Sequence, residues 1–356
     1  MKGHHKGTTP LLEIPYIDIV RDIIVSDPLH LLFLGVFRRL LRGWKEGKLS
    51  RIIKWYDEEC GIISSFLKSI KLPREIHRQI RPIEYQPHYK GSELSSFFYY
   101  ASIVVLKKVP PANAYNNFLI LFCAITLLSS SVYKNNWKVA GTMLTNFVGG
   151  VRELYGVKAL VSNFHNLLHI YEEVNHFGPL ITLSSFPFEC RLEYLKYLLR
   201  GGSKHIEQFV NRILELQDFV FYKNENVELY PALKKRKTSC DKDLHVRSDF
   251  VLQNDDHNGW FLTKDNKIVR FRGAVANDED SYSATGEVLK IKHDFFERPF
   301  KSSHINIYVR NTNDLEFENI VYSCYRMKCK LIALGTGKKG EFVFNMHYTC
   351  YTRITM

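Results

Sequence analysis

Apolar residues recur at helical spacing as far as Gln217 and give way to short β-type runs from Phe250 onward. Leu29, Leu32, Phe33, Val36 and Leu40 form one apolar stripe. Ser26-Asp27-Pro28 opens that helix, with Asp27 suited to the N-cap and Pro28 to the first helical position. Arg38, Arg39 and Arg42 collect near its C-terminus before Gly43, where a helix dipole favours cations. Leu49, Ile52, Ile53 and Tyr56 fit one further helix face, and Ile62, Ile63, Phe66, Leu67 and Ile70 another. The same reading predicts helices over 92–106, 112–128, 137–155 and 164–176, separated by Pro110-Pro111, Ser129-Ser130-Ser131 and Gly156. Ile206, Phe209, Val210, Ile213 and Leu214 continue it. Ahead of them all, residues 10–16 are punctuated by prolines, and 18–20 and 23–25 are β-branched enough to predict one or two strands.

The pattern changes at Tyr222. Residues 223–249 are polar and carry Lys234-Lys235-Arg236-Lys237, which predicts a basic linker suited to nuclear import or a phosphate contact. Short runs at 259–263, 267–271, 286–289, 304–309, 330–333 and 341–344 then predict a small all-β barrel over 250–356. Gly335-Thr336-Gly337-Lys338-Lys339 is not a P-loop. Ile332 stands where its first glycine belongs, Lys339 replaces the Ser or Thr, and no helix follows, so it reads as a hairpin turn. The fold class is therefore α+β.

Charge adds a partner. In 356 residues, 49 Lys+Arg against 37 Asp+Glu leave a formal charge of +12, which favours a polyanion such as DNA. The loop over 73–87 mixes Arg74, Arg78 and Arg81 with Tyr85, a composition fit for a phosphate backbone or for a solvated loop. The odd, scattered cysteines argue against a disulfide framework and for a reducing compartment. No secretory h-region follows Met1, and the apolar run over 118–129 is too short to span a bilayer, so no membrane role is expected.

Candidate chemistry concentrates in residues 163–202. His165 and His169, spaced i,i+4, share a helix face as two ligands of one metal would, or as two packed histidines would. Glu189 follows Phe186-Pro187-Phe188 at the start of another helix, placed either for metal-dependent phosphoryl transfer or simply to complement the dipole. Asp27 and His30 form a second pair at a helix start. Together the two pairs supply one carboxylate oxygen and three imidazole nitrogens, an acceptable set for structural Zn²⁺; Asp27 is equally explained as a cap.

The segments LLEIPYIDIVRDIIVSDPLHLLFLGVFRRLL, NFHNLLHIYEEVNHFGPL and SSFPFECRLEYLKYLLRGG, in this order, resemble the catalytic region of CACTA (En/Spm-like) transposases. More particularly they resemble the animal transposase domain-containing proteins, over roughly Gly7 to Leu216, and the β-rich tail resembles the C-terminal module of those proteins. The resemblance implies an RNase H-like DDE core in which three carboxylates hold two Mg²⁺ ions. Its D-x-x-H motif matches Asp27 and His30, and its third carboxylate matches Glu189. It divides the chain into a core remnant over 1–47, a helical insertion over 48–177, a helix pair over 178–222, the linker and the barrel. The Asp27, His30, His165 and His169 set is also similar to the zinc-binding pairs of the V(D)J recombinase core. The first two catalytic aspartates should precede D-x-x-H, where Asp18 and Asp22 lie in no matching context. Mg²⁺ chemistry would need those carboxylates from elsewhere. The expected protein is thus a nuclear, transposase-derived DNA-binding chain without catalysis. The alternatives are an active DDE nuclease completed by a longer product or a partner, and an interaction scaffold forming homo-oligomers or binding proteins through its barrel.

Overall fold

A computed structural model describes residues 10–18, 21–50, 53–109, 111–222, 229–236, 242–277, 281–289, 292–311, 317–335 and 341–346. The chain divides into two compact units: Met1–Ser64 with Pro82–Ser184, and Ser65–Arg81 with Ser185–Met356.

The first unit is helical. Asp27 caps its opening helix as its sequence position predicts, its two carboxylate oxygens accepting the backbone N–H groups of Leu29 and His30, both at 3.1 Å. The first stretch, Pro28–Phe37, is π-helical, and α1 (Arg38–Glu46) carries the helix past Gly43 to Gly47, whose φ of 69° provides the left-handed stop. Gly35 has a packing reason to lack a side chain: a Cβ there would sit 2.7 Å from the Asn163 amide of α7 (Ser162–Asn166). Beyond Gly47 the expected helix over 49–56 is absent among the described residues. The chain returns extended instead, with Ile53 and Trp55 buried and the Trp55 N–H bonded to the Trp44 carbonyl at 2.8 Å.

α2 (Asp57–Ser69) follows, then a continuous helical stretch over 91–108 that begins with α3 (Gly91–Ser96), includes a π-turn at Phe97–Ala101 and continues through α4 (Ser102–Val105). α5 (Ala112–Leu128) is buried on nearly every side, the fate of a helix apolar all round. α6 (Trp137–Tyr155) packs on it, and α7 and α8 (Ile170–Phe177) complete the unit around a 3-10 turn at Leu167–His169. Phe98 lies at the core's centre, with ring centres 5.2 Å from Phe37, 5.6 Å from Phe122, 5.9 Å from Phe118 and 6.0 Å from Phe33. Among the described residues, no helix is long and apolar enough to cross a membrane.

Residues 18 and 21–25 form no strand. The N–H groups of Val25 and Ser26 donate instead to the Glu173 carboxylate of α8, Ser26 at 3.0 Å.

The second unit begins with α2's last turn and the strap that follows, then α9 (Phe186–Leu198) and α10 (His205–Tyr222), and is otherwise β. The expected basic linker carries strands. β1 (Ala232–Lys235), β2 (Lys242–Arg247) and β3 (Phe250–Leu252) form an antiparallel sheet, held because Leu244, Phe250 and Leu252 are buried despite the surrounding charges. Eight further antiparallel strands run in the order β7-β8-β11-β10-β4-β5-β6-β9. They are β4 (Trp260–Thr263), β5 (Ile268–Ala276), β6 (Tyr282–Leu289), β7 (His293–Asp294), β8 (Tyr308–Asn311), β9 (Phe317–Ser323), β10 (Met327–Gly335) and β11 (Glu341–Met346). Among the described residues no pairing joins β7 to β9, so this is an open sheet rather than the expected closed barrel. Alternation along β4 divides the core in two: Phe261 packs with Phe250 and Phe271, while Trp260 and Leu262 pack with Ile268 and Leu331. β10 and β11 pair antiparallel from Gly335 opposite Phe342, as a hairpin requires; residues 336–340 lie outside the described set.

Candidate nucleic-acid interface and metal ligands

In the second unit, β10 opens with Met327 opposite Thr263, the last residue of β4. The turn at 263–267 therefore lies beside the 3-10 turn Cys324–Arg326, and the Lys264 N–H donates to the Arg326 carbonyl at 2.8 Å. Asn266, left-handed at φ 59°, closes the first turn with its N–H on the Thr263 carbonyl at 3.0 Å. The register slips by one residue between Met327 and Cys329, which makes Lys328 the extra residue of a bulge. Bulges commonly redirect a side chain in this way.

Lys328 Nζ donates to Asn266 Oδ1 at 3.3 Å and to Asn306 Oδ1 at 3.2 Å. Lys292 donates to the Asn266 carbonyl and lies 4.2 Å from the centre of the Tyr308 ring. Two ammonium groups thus share one asparagine. Burial first, and then the charge of Lys328, push the Lys292 pKa below its ordinary value, with Asp265 opposing. Lys264, Lys267, Tyr325 and Arg326 lie exposed around the pair. Asp265 is the acid among them. Its carboxyl is held below the usual range, first by a hydrogen bond from Thr263 and further by the charges of Lys267 and Arg326. The result is a cationic lobe with an aromatic floor, able to receive phosphate oxygens. Sequence reading found only the turn at 264–266. Lys292 and Lys328 stand in no basic run, and a bulge brings one of them there.

The basic residues expected to contact nucleic acid are placed less openly. Arg38 donates to the Tyr89 carbonyl, and burial lowers its pKa. Arg42 is exposed and pairs with Glu46 one helical turn away at 2.9 Å, whereas Arg236 pairs with the buried Asp243 at 2.7 Å, which turns it inward on the protein itself. Arg39 and Lys235 are exposed and Lys234 is half-buried in β1; Lys237 lies outside the described residues.

In the first unit each expected metal-binding pair is close within itself, His165 on α7 and His169 in the 3-10 turn that follows it. His30 Nδ1 lies 2.5 Å from Asp27 Oδ2, and the His165 and His169 rings are 5.3 Å apart, edge to face. Glu173, four residues beyond His169 on α8, holds the Val25 and Ser26 N–H groups immediately before Asp27. Its role as that anchor had no sequence signal, since its partners are backbone groups. Among the described residues, no three His, Cys, Asp or Glu side chains gather as a metal-binding group. Asp18 and Asp22 occupy an exposed turn, in which the Asp18 N–H bonds Asp22 Oδ2 at 2.8 Å. Glu189 belongs to the second unit, exposed in the first turn of α9.

Comparison with known proteins gives one match, to a domain of unknown function, DUF8592, over residues 224–346. No curated protein and no solved structure matches the chain. Among the described residues, the matched stretch contains every strand of the second unit and the whole Lys292–Lys328 lobe.

Proposed function

We propose that this chain is a nuclear, transposase-derived protein that associates with nucleic acid without regard to sequence and does not cleave it. The observation that carries the reading is the Lys292–Lys328 pair on Asn266, ringed by exposed Lys264, Lys267 and Arg326 in a chain of net charge +12. Phosphate oxygens arriving there would relieve the repulsion between the two ammonium groups, and Tyr325 offers a base a surface to stack on. The lack of cleavage rests on the carboxylates. Of the three that the transposase resemblance implies, Glu189 alone has a residue-by-residue match, and one carboxylate cannot bridge two Mg²⁺ ions. Incubated with plasmid and Mg²⁺ or Mn²⁺, the chain is expected to retard the DNA and leave it supercoiled. Nicking that disappears on Glu189→Gln would instead favour the active-nuclease reading, with the missing carboxylates supplied by a longer product or a partner.

The RNase H-like remnant and the zinc belong to the same reading. Asp27, His30, His165 and His169 would hold the ion: their donor types suit Zn²⁺ and each pair is close within itself, while among the described residues no three of them gather without the ion. Zinc there would cross-link the helix of residues 28–46 to α7 and α8. Substoichiometric Zn²⁺ is expected to raise the melting temperature of the wild-type chain and to leave His165→Ala/His169→Ala unmoved. An equal shift in both proteins would remove the site.

One observation favours an interaction scaffold as a second reading. Phe188, Tyr197 and Ile206 are 72%, 82% and 80% exposed on α9 and α10, an unusual share of apolar surface for one helix pair.

A further inference from the structure

A lysine with its side chain 1% exposed is the least expected group in the second unit, and it is fully engaged. Lys330 Nζ donates to both carboxylate oxygens of Glu75, at 2.8 and 2.7 Å, to the Val251 carbonyl at 2.7 Å and to Asn258 Oδ1 at 3.1 Å. Glu75 comes from the strap of residues 65–81, which joins this unit from far upstream and lies outside the DUF8592 match. The strap is read at two consecutive residues. The Glu75 carboxylate also accepts the Val251 N–H at 3.0 Å, the Arg74 N–H donates to Asn258 Oδ1 at 3.0 Å, and the Arg74 guanidinium lies 3.5 Å from Asp243. The receiving groups are themselves fixed. Asn258 Nδ2 donates to Asp255, and Asp243 accepts from Arg236 and Gln253.

Such an arrangement reads a dipeptide as a binding site reads a ligand, with a cation and an N–H for the acid, an anion for the base, and an amide oxygen for the backbone. From this geometry we propose that Lys330, Val251, Asn258 and Asp243 form a peptide-recognition socket for an Arg-Glu sequence, filled here in cis by Arg74-Glu75. The matched module supplies the socket, and its acidic occupant is drawn from outside the matched residues. A peptide of the strap's sequence, in which Glu75 is the one acid, is therefore a ligand for the site once the strap's own Arg74 and Glu75 side chains are removed. This site is separate from the cationic lobe, and its test does not involve nucleic acid.

The experiment uses the full chain with the socket vacated by Arg74→Ala/Glu75→Ala, and a fluorescent peptide of residues 70–80. The vacated chain binds the peptide saturably, the wild-type chain with its own strap in place does not, and Glu75→Gln in the peptide weakens binding about tenfold or more. Should the vacated chain fail to fold alone, the peptide added during refolding restores a cooperative melting transition and its Glu75→Gln form does not. A folded vacated chain that ignores the peptide, or binds both forms alike, overturns the proposal. So does an unfolded one that the peptide cannot rescue.

Discussion

Replacing Glu75 with alanine is expected to lower the stability of the second unit by about 3–5 kcal/mol at neutral pH, the usual cost of stranding one partner of a buried ion pair. The cause is specific. Lys330 would keep the Val251 carbonyl and Asn258 but lose its only counter-charge at hydrogen-bond distance among the described residues. Burial already pushes the Lys330 pKa down, with Glu75 the main group holding it up, so the variant's lysine falls further. The sign of the pH dependence follows. Between the depressed folded value and the unfolded lysine value of about 10.4, the unfolded chain binds more protons, so stability rises with pH in that window. Denaturant titrations at successive alkaline pH values should show the variant gaining on the wild type. A loss under 1 kcal/mol, or one independent of pH, would mean that water reaches Lys330.

Phe98→Ala should cost the helical unit about 3–5 kcal/mol. The side chain is fully buried and its ring meets Phe33, Phe37, Phe118 and Phe122, which come from two separate helical stretches, so no single element can move in to close the gap. Phe98→Leu, which leaves a smaller void, should cost less. Chemical denaturation followed by tryptophan emission is a direct readout, since Trp44 packs 6.2 Å from Phe118 in the same cluster.

The long helices were legible because their pattern is long. The expectations over 112–128 and 137–155 coincide with α5 and α6, and Asp27-Pro28 starts its helix where cap chemistry places it. Shorter signals were overruled by their surroundings. Ile53 matches a helical face equally well, but once Gly47 ends α1 it alternates with Trp55 in an extended return against Trp44. Residues 23–25 have β-branched side chains but meet a carboxylate, Glu173, where a strand would need a neighbouring backbone. In 232–247 the charges of the basic run obscured Leu244, and Asp243, which reads as surface, is buried by its bonds to Arg236 and Gln253. The candidate sites were the least legible parts. Glu75 meets a lysine 255 positions away, and Lys328 reaches Asn266 only because a one-residue bulge falls beside it. Neither pairing leaves a local trace, whereas the Lys234–Lys237 run, conspicuous in sequence, spends Arg236 on internal pairs.

The central claim is that the Lys292–Lys328 lobe holds phosphate, and salt dependence tests it most directly. Affinity of the full chain for a random-sequence duplex, followed by anisotropy between 50 and 200 mM NaCl, should fall linearly on a log–log plot, with a slope of about −0.9 for each phosphate engaged. Lys292→Gln/Lys328→Gln should weaken binding at low salt and make that slope shallower by roughly 1.8, two contacts' worth. Arg38→Gln/Arg236→Gln, at cations already turned inward, should leave the slope unchanged. A chain that binds no duplex at low salt, or a lysine variant with the wild-type slope, would contradict the account.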